Sequence, residues 1–298
     1  MKKASLSSNI EWKAWGKRDP LYAVASCAEK NKEGLAPWTD AEFYALGKSD
    51  WEDFHQKWRH YGLDNSSCIE IGCGAGRITS QLARCFQTVH ALDVSEHMLD
   101  YARQHVSARN VNFFLSNGAK IPLPDGSVTA VFSCHVFQHF NSLEVARSYF
   151  AEIHRVVLPG GSLMVHLPIY AWPDSSRSFQ IIHHLQSAIS DFKAEMNRWL
   201  IGRGIFRPLM RRLVYPLDWL YAELARIGFA GIELIMVSPK SSNDPHAFIL
   251  ARKHKPAPAF SLEATSLRTA GSTSRLAGRG QVRPTAAGLN ANLTGKSG

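Results

Sequence analysis

The chain has 298 residues, of which 45% are hydrophobic, enough for one large domain or two small ones with a substantial core. Its five cysteines are scattered without a C-x-x-C pair, which argues against a zinc site or a disulfide scaffold and predicts a cytoplasmic protein. The N-terminal residues lack the apolar stretch of a secretory signal. No window approaches about eighteen uninterrupted apolar residues, so we expect no membrane span.

The net charge of +9 is concentrated at the C-terminus, where the residues from Lys253 onward carry seven Lys or Arg and one acid, leaving +3 for the rest of the chain. This segment is rich in Ala, Gly, Ser, Thr and Pro and has few large apolar residues to offset its ordering entropy. We therefore predict a disordered basic tail over 254–298, and nucleic acid is not the favoured partner.

Residues 1–66 are predicted to form a helical cap or lid. The sequences "TDAE" at Thr39–Glu42 and "SDWE" at Ser49–Glu52 both fit the S/T-x-x-E capping box that begins a helix. After the second box, aromatic residues recur at spacings of three and four, as on one face of a helix. These residues are Trp51, Phe54, Trp58 and Tyr61.

Residues 67–253 alternate between apolar runs and helical patterns, which predicts an α/β fold with a doubly wound, mostly parallel sheet. The last two runs, "IELIMV" and "HAFILA", are joined by only eight residues, too few for a parallel crossover. We therefore predict a seven-stranded sheet whose final strand is antiparallel.

An insertion over 168–215 follows the fifth predicted strand. Its apolar residues recur at helical spacing and predict an amphipathic helix that serves as a substrate lid or a packing surface, including a candidate dimer contact. These residues are Ile182, Leu185, Ile189, Phe192, Met196 and Leu200.

The first strand runs into "GCGAG", in which Gly72, Gly74 and Gly76 form G-x-G-x-G. The dinucleotide fingerprint places its third glycine one residue later, and a phosphate-binding Walker loop requires a Lys that is absent here. Asp93 ends the second strand, 21 residues after Gly72, where a carboxylate can accept hydrogen bonds from ribose hydroxyls. The pattern favours an adenosine ligand without phosphates, although glycines at such a turn can also be purely conformational.

Together with "SNGAKIPLPDGSV" and "LPGGSL", these motifs resemble the class I S-adenosylmethionine-dependent methyltransferases over about residues 67–253. The segments "WGKRDPLYAV" and "WTDAEFYALG" resemble the leader of a bacterial group within that family whose acceptors are mostly unassigned. The resemblance implies a Rossmann-like fold, S-adenosylmethionine as cofactor and methyl transfer as the activity.

The resemblance also implies roles for the residues of the first two strands and the turns after them. Gly72, Cys73 and Gly74 would lie under the methionine and ribose portions, with Gly76 completing the loop. Glu70 would support the loop and the ammonium group, and Asp93 would hold the ribose.

Further along the chain, Val94 and Met98 would enclose the adenine, although Met98 also suits a core position. Asn117 and Gly118 would meet the adenine edge. The family often has Asp at position 117, and Asn117 also suits a plain turn. Backbone oxygens of Cys134 and His135 would receive the ammonium.

The sequence "CHVFQHF" after the fourth strand places His135 and His139 where ligands bind in such sheets. Histidine titrates near neutrality, so both are candidate general bases, His139 also being suited to packing on the next helix. Methyl transfer by in-line displacement depends mainly on positioning and does not require a base for every acceptor. A metal site is not expected, because no acidic or thiol partner stands at ligand spacing from these histidines.

The acceptor is predicted to be a small molecule, with an aromatic compound as one candidate. A cluster of arginines and aromatic residues in the insertion suits an acidic or aromatic acceptor, or RNA. This cluster comprises Trp199, Arg203, Phe206, Arg207, Arg211 and Arg212. Other functions consistent with the sequence are an RNA or protein methyltransferase, a nicotinamide dehydrogenase, and a cofactor-binding regulatory protein without turnover.

Overall fold

The computed structural model describes residues 2–27, 29–170, 212–237 and 245–255, together with residues 188–189, 192, 195–196, 199–201 and 203–205. The predicted tail and most of the predicted insertion helix lie outside these residues, as does the predicted dimer contact. The described residues of that helix between 188 and 201 are helical.

The described helices are α1 (Lys2–Arg18), α2 (Pro20–Val24), α3 (Asp40–Tyr61), α4 (Thr79–Cys85), α5 (Glu96–His105), α6 (Leu143–Val156) and α7 (Leu217–Ile227), with a 3₁₀ turn at Phe137–His139. The strands are β1 (Ser67–Ile71), β2 (Thr88–Asp93), β3 (Val111–Leu115), β4 (Val128–Ser133), β5 (Val157–Tyr170), β6 (Tyr215–Pro216), β7 (Phe229–Val237) and β8 (His246–Lys253).

The strands form one sheet in the order β3-β2-β1-β4-β5-β8-β7, with the two-residue β6 paired to the end of β5. Strands β1 to β5 are parallel, and β8 runs antiparallel to both β5 and β7. The predicted mostly parallel sheet with an antiparallel final strand is confirmed, and β6 adds one short strand that the sequence pattern does not indicate.

Helices cover both faces of the sheet, as expected for a doubly wound fold. On one face, Val131 and Leu163 pack in a buried cluster with Ile153 of α6 and Leu224 of α7. On the other face, Phe132 packs in a second cluster with Trp58 of α3. Adjacent residues of β4 point to opposite faces, so burial on both sides explains its continuous apolar sequence.

Helix α3 begins at the first of the two predicted capping boxes. Thr39 accepts a hydrogen bond from the Glu42 backbone N–H, and Glu42 accepts one from the Thr39 backbone N–H. The second predicted start, at Ser49, is wrong, because α3 continues without a break through that residue. The helix ends at Gly62, whose φ of +96° is the left-handed conformation typical of a glycine C-cap.

No helix among the described residues has both the length and the apolarity needed to cross a membrane.

Candidate active site

A cavity of about 1100 Å³ lies at the carboxyl edge of the parallel strands. The turn after β1 and the end of β2 line it, as do the turn after β4, His166 of β5 and the start of β8. Residues of α1, α2 and α3 also line it. The fold thus collects residues from distant parts of the chain at one site.

The glycine turn after β1 is held against β2 by its backbone. The N–H groups of Gly72 and Cys73 donate to the Leu92 carbonyl at 2.7 and 3.0 Å. Gly72 has a φ of +74°, and a Cβ placed there would lie 2.2 Å from the Val136 side chain. Glycine is required at this position both for its backbone conformation and for the close approach of the β4 turn.

Asp93 braces the glycine turn and also faces the cavity. Its carboxylate accepts hydrogen bonds at 2.9 Å from the backbone N–H groups of Gly74 and Ser95. Burial raises the pKa of Asp93, although these two donors oppose the shift. A carboxylate oxygen can accept more than one hydrogen bond, so Asp93 retains capacity for ligand hydroxyl groups.

Glu70 lies buried in β1 beneath the glycine turn and does not line the cavity. It accepts a hydrogen bond from the Thr79 hydroxyl at 2.6 Å, and burial raises its pKa to about 8. Cys73 is likewise buried outside the lining. Gly76 packs on α5, since a Cβ there would lie 3.0 Å from the Cβ of Ala102. These three residues therefore stabilise the glycine turn without lining the cavity.

The residues predicted to contact the adenine ring divide into two sets. Val94, Met98 and Gly118 line the cavity, and Met98 is also part of a buried cluster. Asn117 does not line it, because its side-chain oxygen accepts from the backbone of Ala119 at 2.9 Å in a local turn. The backbone oxygen of Asn117 accepts from Asn9 of α1 at 3.0 Å, which places α1 over this part of the site.

His135, the second residue after β4, lines the cavity with an exposed side chain and has a φ of +60°. Among the described residues it is the one non-glycine with positive φ, a strained conformation that is common at functional sites. Partial desolvation in the cavity, assisted by the charge of Arg77, lowers the pKa of His135. His139 also lines the cavity, with its ring 4.9 Å from that of Trp12.

His135 lies next to a chain of three further cavity residues. The sequence did not predict that these three residues lie together. The ring of His166, at the end of β5, lies 4.2 Å from that of His135. His246, at the start of β8, contacts His166 with its Nδ1 atom 3.2 Å from the His166 Nε2 atom. An Arg212 guanidinium nitrogen lies 2.9 Å from the His246 Nε2 atom.

Hydrogen bonds fix the position of Arg212, because the residues that follow it donate to backbone carbonyls of the turn after β4. The Leu213 N–H donates to the Gln138 carbonyl at 2.7 Å, and the Tyr215 hydroxyl donates to the Phe137 carbonyl at 2.8 Å. The sequence offered one signal for His166, a lone polar residue in the apolar run "LMVHLPI", much like Glu70 in β1. Arg212 appeared only as one member of the arginine cluster.

The structure also brings a thiol close to these histidines, contrary to the expectation that no such partner is near. Ligand atoms of Cys134, His135 and His166 lie within 4.8 Å of one another. Burial raises the pKa of the Cys134 thiol to about 12. This trio is therefore a candidate metal-binding group whose thiol is protonated in the absence of an ion.

Further cavity residues missed by sequence reasoning include Asp50, Arg77 and Ser116. Arg77 follows the glycine turn, is buried, and forms an ion pair with Asp50 of α3. Ser116 follows β3 and accepts from the Gly118 N–H at 3.0 Å. Because Asp50 and Arg77 are far apart in sequence, no local motif predicts their pairing.

The lining fits a nucleoside ligand that brings no phosphate. Gly72 and Gly74 expose backbone to the cavity, Asp93 offers a buried carboxylate, and Met98 adds an apolar surface. The turn thus permits close backbone approach and leaves a carboxylate for the ribose, as in nucleoside sites of this sheet topology.

Residues 69–165, about a third of the chain, match the family model described as "Methyltransferase domain". The match begins in β1 and ends in β5, so it contains the glycine turn, Asp93 and His135 but not Arg212 or His246.

Curated relatives align with part of this chain. A malonyl-[acyl-carrier protein] O-methyltransferase of Methylococcus capsulatus is 31% identical over 153 residues, which cover 49% of this chain and 54% of the relative. A demethylmenaquinone methyltransferase of Tropheryma whipplei is 30% identical over 98 residues, covering 33% and 39%. The chain thus spans about half or less of the length of these relatives.

Among solved structures, the complex of DhpI with S-adenosylhomocysteine superimposes with a TM-score of 0.55 at 16% sequence identity. The superposition covers 85% of this chain and 98% of DhpI. At this level of identity the likeness establishes a shared fold.

Proposed function

We propose that this chain, whose residues 69–165 form a methyltransferase domain of the class I Rossmann-like fold, transfers a methyl group from S-adenosylmethionine to a small-molecule acceptor. The glycine turn, Asp93, Val94 and Met98 hold the cofactor, with Glu70 supporting the turn. The acceptor lies beside His135, and the reaction takes place in the cytoplasm.

One observation carries the proposal, namely that the cofactor residues and a separate polar cluster line the same cavity. We assign Gly72 and Asp93 to a cofactor part of it and His135 and His166 to an acceptor part. Its volume of about 1100 Å³ slightly exceeds the roughly 300–1,000 Å³ of ordinary ligand pockets, which suits two ligands bound side by side. Helices α1 and α3 contribute to its wall, which favours a small acceptor.

The chemistry this site would support rests on positioning. Transfer from a sulfonium donor is an in-line displacement in which the leaving sulfur becomes neutral, so no acid is needed. Holding the two reactants in line converts a bimolecular step into an effectively unimolecular one. Residues of the β4 turn contact both parts of the cavity, since Val136 packs on Gly72 while His135 contacts His166.

Ligand binding tests the proposal. We expect S-adenosylhomocysteine to bind with measurable heat in calorimetry and to raise the Tm. At a ligand concentration a hundred times the Kd, the free energy of unfolding should increase by about 2.7 kcal/mol. NAD should do neither. Stabilisation by NAD alone would identify a nicotinamide enzyme instead, and binding of S-adenosylhomocysteine without transfer to a broad acceptor panel would identify a binding protein without turnover.

A further inference from the structure

The hydrogen bonds among Arg212, His246 and His166 specify where the imidazole protons lie. A guanidinium group donates and cannot accept, so the His246 Nε2 atom, at 2.9 Å from Arg212, must be the acceptor. The His246 Nδ1 atom then carries the proton and donates it over 3.2 Å to the His166 Nε2 atom. His166 in turn carries its own proton on Nδ1.

This chain of hydrogen bonds ends in a donor that lacks a hydrogen-bond partner among the described residues. The His166 Nδ1 atom is buried and unmatched, and His166 as a whole is only 3% exposed while lining the cavity. A buried polar group left unpaired is costly, and few such groups persist in native proteins without a purpose. The site therefore lacks one hydrogen-bond acceptor, which a bound ligand would supply.

The charges near this donor favour an anionic ligand. Arg212 lines the cavity on one side of the histidines. Among the residues that the structure describes, the acidic groups that line the cavity are engaged elsewhere. Asp50 pairs with Arg77, Asp53 pairs with Lys57, and Asp93 accepts from the glycine turn.

The hydrogen-bond geometry calls for an acceptor that carries negative charge without the help of a base. An acceptor that is already ionised near neutral pH needs no base, and carboxylic acids have this property.

We propose that His166, oriented by His246 and Arg212, donates its Nδ1 proton in a hydrogen bond to a carboxylate group and that the methylated atom is an oxygen of that carboxylate, so that the product is a methyl ester. This inference rests on the function proposed above and names the acceptor class. The carboxylate oxygen forms a bond to the methyl carbon as the carbon–sulfur bond breaks, and the sulfur keeps the bonding pair. The carboxylate anion and the sulfonium cation both become neutral, and no proton moves.

The competing use of these residues is a metal site formed by Cys134, His135 and His166. A metal ion needs a lone pair from each histidine. On His166, Nε2 gives its lone pair to His246 and Nδ1 carries a proton. Binding a metal would thus break the chain that starts at Arg212, whereas binding a carboxylate completes it.

A binding experiment tests the inference without relying on turnover. The probes are hexanoate and benzoate, each compared with its neutral amide, titrated by calorimetry into the full chain saturated with S-adenosylhomocysteine. We expect each acid to bind at least about tenfold more tightly than its amide, since hydrogen bonds to charged groups are the stronger ones. Equal affinity of acid and amide, or no binding of either acid at millimolar concentration, overturns the inference.

Arg212→Gln should weaken acid binding by about ten- to hundredfold and leave amide binding unchanged. Arg212→Lys should restore part of the affinity, because Lys also donates without accepting. The matched control is Arg109→Gln, an exposed arginine just before β3 that does not line the cavity. If Arg212→Gln and Arg109→Gln behave alike, the proposed role of Arg212 is wrong.

Product chemistry separates this inference from the proposed function. With a methyl-labelled donor and a mixed set of straight-chain and aromatic acids, we expect label that is released as methanol by alkali, as from an ester. Label that survives alkali contradicts the carboxylate while leaving methyl transfer intact. Failure to bind S-adenosylhomocysteine contradicts the proposed function itself. Stoichiometric zinc in the purified protein, lost in His166→Ala, would overturn the carboxylate in favour of a metal centre.

Discussion

The two parts of the cavity are built in different ways. The proposed cofactor part comes from one short segment, in which β1, the glycine turn and the end of β2 are joined by local hydrogen bonds such as that from Gly74 to Asp93. The proposed acceptor part is assembled from His135, His166, Arg212 and His246, which come from separate strands and loops. A local motif therefore predicts the cofactor, and only the assembled sheet brings together the residues of the proposed acceptor part.

The difference also appears in the strain of the backbone. In the cofactor part, glycines carry the left-handed backbone at Gly72, Gly74 and Gly76. In the acceptor part, His135 carries it with a full side chain, at a cost of about 1–3 kcal/mol. We expect changes in the first part to affect folding and cofactor affinity together. Changes in the second part should leave cofactor affinity intact.

The largest effect is expected at Gly72. Gly72→Ala adds a Cβ that would lie 2.2 Å from Val136 and forces alanine into a φ of +74°. We expect a loss of about 3 kcal/mol or more in the free energy of unfolding, measured by urea denaturation, together with loss of S-adenosylhomocysteine binding. Gly126→Ala is the matched control, because its φ is +54° but its nearest Cβ contact is an open 3.6 Å. Equal losses in both variants would show that close packing at Gly72 is unimportant.

Glu70 should make stability depend on pH. Its pKa is raised to about 8 in the folded protein from an unfolded value of about 4.3, so between these values the folded state holds the extra proton. The contribution of Glu70 to stability is therefore greatest at low pH and is lost as the pH rises towards 8. Glu70→Gln mimics the protonated form, and its stability relative to wild type should rise by about 2 kcal/mol between about pH 5 and pH 7. A pH-independent difference in denaturation midpoints would contradict the raised pKa.

Asp93→Asn tests whether the brace of the glycine turn also serves the ligand. An amide cannot accept from both the Gly74 and Ser95 backbone N–H groups with separate oxygens, so one donor would face the NH₂ group. We expect the Kd for S-adenosylhomocysteine to rise at least about tenfold in calorimetry. Asp64→Asn is the control, since Asp64 accepts from the Ser66 backbone N–H through a single oxygen. An unchanged Kd in Asp93→Asn would remove Asp93 from the cofactor part.

His135 tests the acceptor part by separating backbone from side chain. Glycine tolerates a φ of +60° and alanine does not, so His135→Gly should be about 1 kcal/mol more stable than His135→Ala. Both variants should keep the wild-type affinity for S-adenosylhomocysteine in calorimetry. A large loss of that affinity in both would mean that the two parts of the cavity are not separable.

The smallest effect concerns α3, which carries Asp50 over the glycine turn. Thr39→Ala removes a capping box that the structure contains and should cost about 1 kcal/mol in thermal or urea unfolding. Ser49→Ala alters the same sequence pattern within the helix interior and should be neutral or slightly stabilising. Similar losses of stability in both variants would indicate a second helix start at Ser49, as the sequence pattern suggested.

The success of sequence-based prediction follows the same division. The alternating apolar runs predicted the parallel strands of the sheet, and the hairpin of β7 and β8 follows from a connection too short for a crossover. Ser49 misled the prediction because its capping pattern is local, whereas the continuous apolar face of α3 buries Trp51 and Trp58 together. Tertiary packing overrides a local start signal in this case.

The candidate site was predictable only where a local rule applies. Gly72, Gly74 and Asp93 belong to one turn whose spacing is informative. Asn117 matched a family position, yet its side chain is engaged in a turn with Ala119. His166 meets His246 only because β5 and β8 pair antiparallel, placing Pro168 opposite His246. Such a juxtaposition depends on strand order and register, which no short motif encodes.

A structure of the full chain with S-adenosylhomocysteine bound tests the central claim most directly. We expect the ribose hydroxyls to contact Asp93, the amino acid portion to lie along Gly72 and Gly74, and the sulfur to face the space beside His135 and His166. A ligand bound elsewhere, or a sulfur directed away from these histidines, would contradict a single cavity with a cofactor part and an acceptor part.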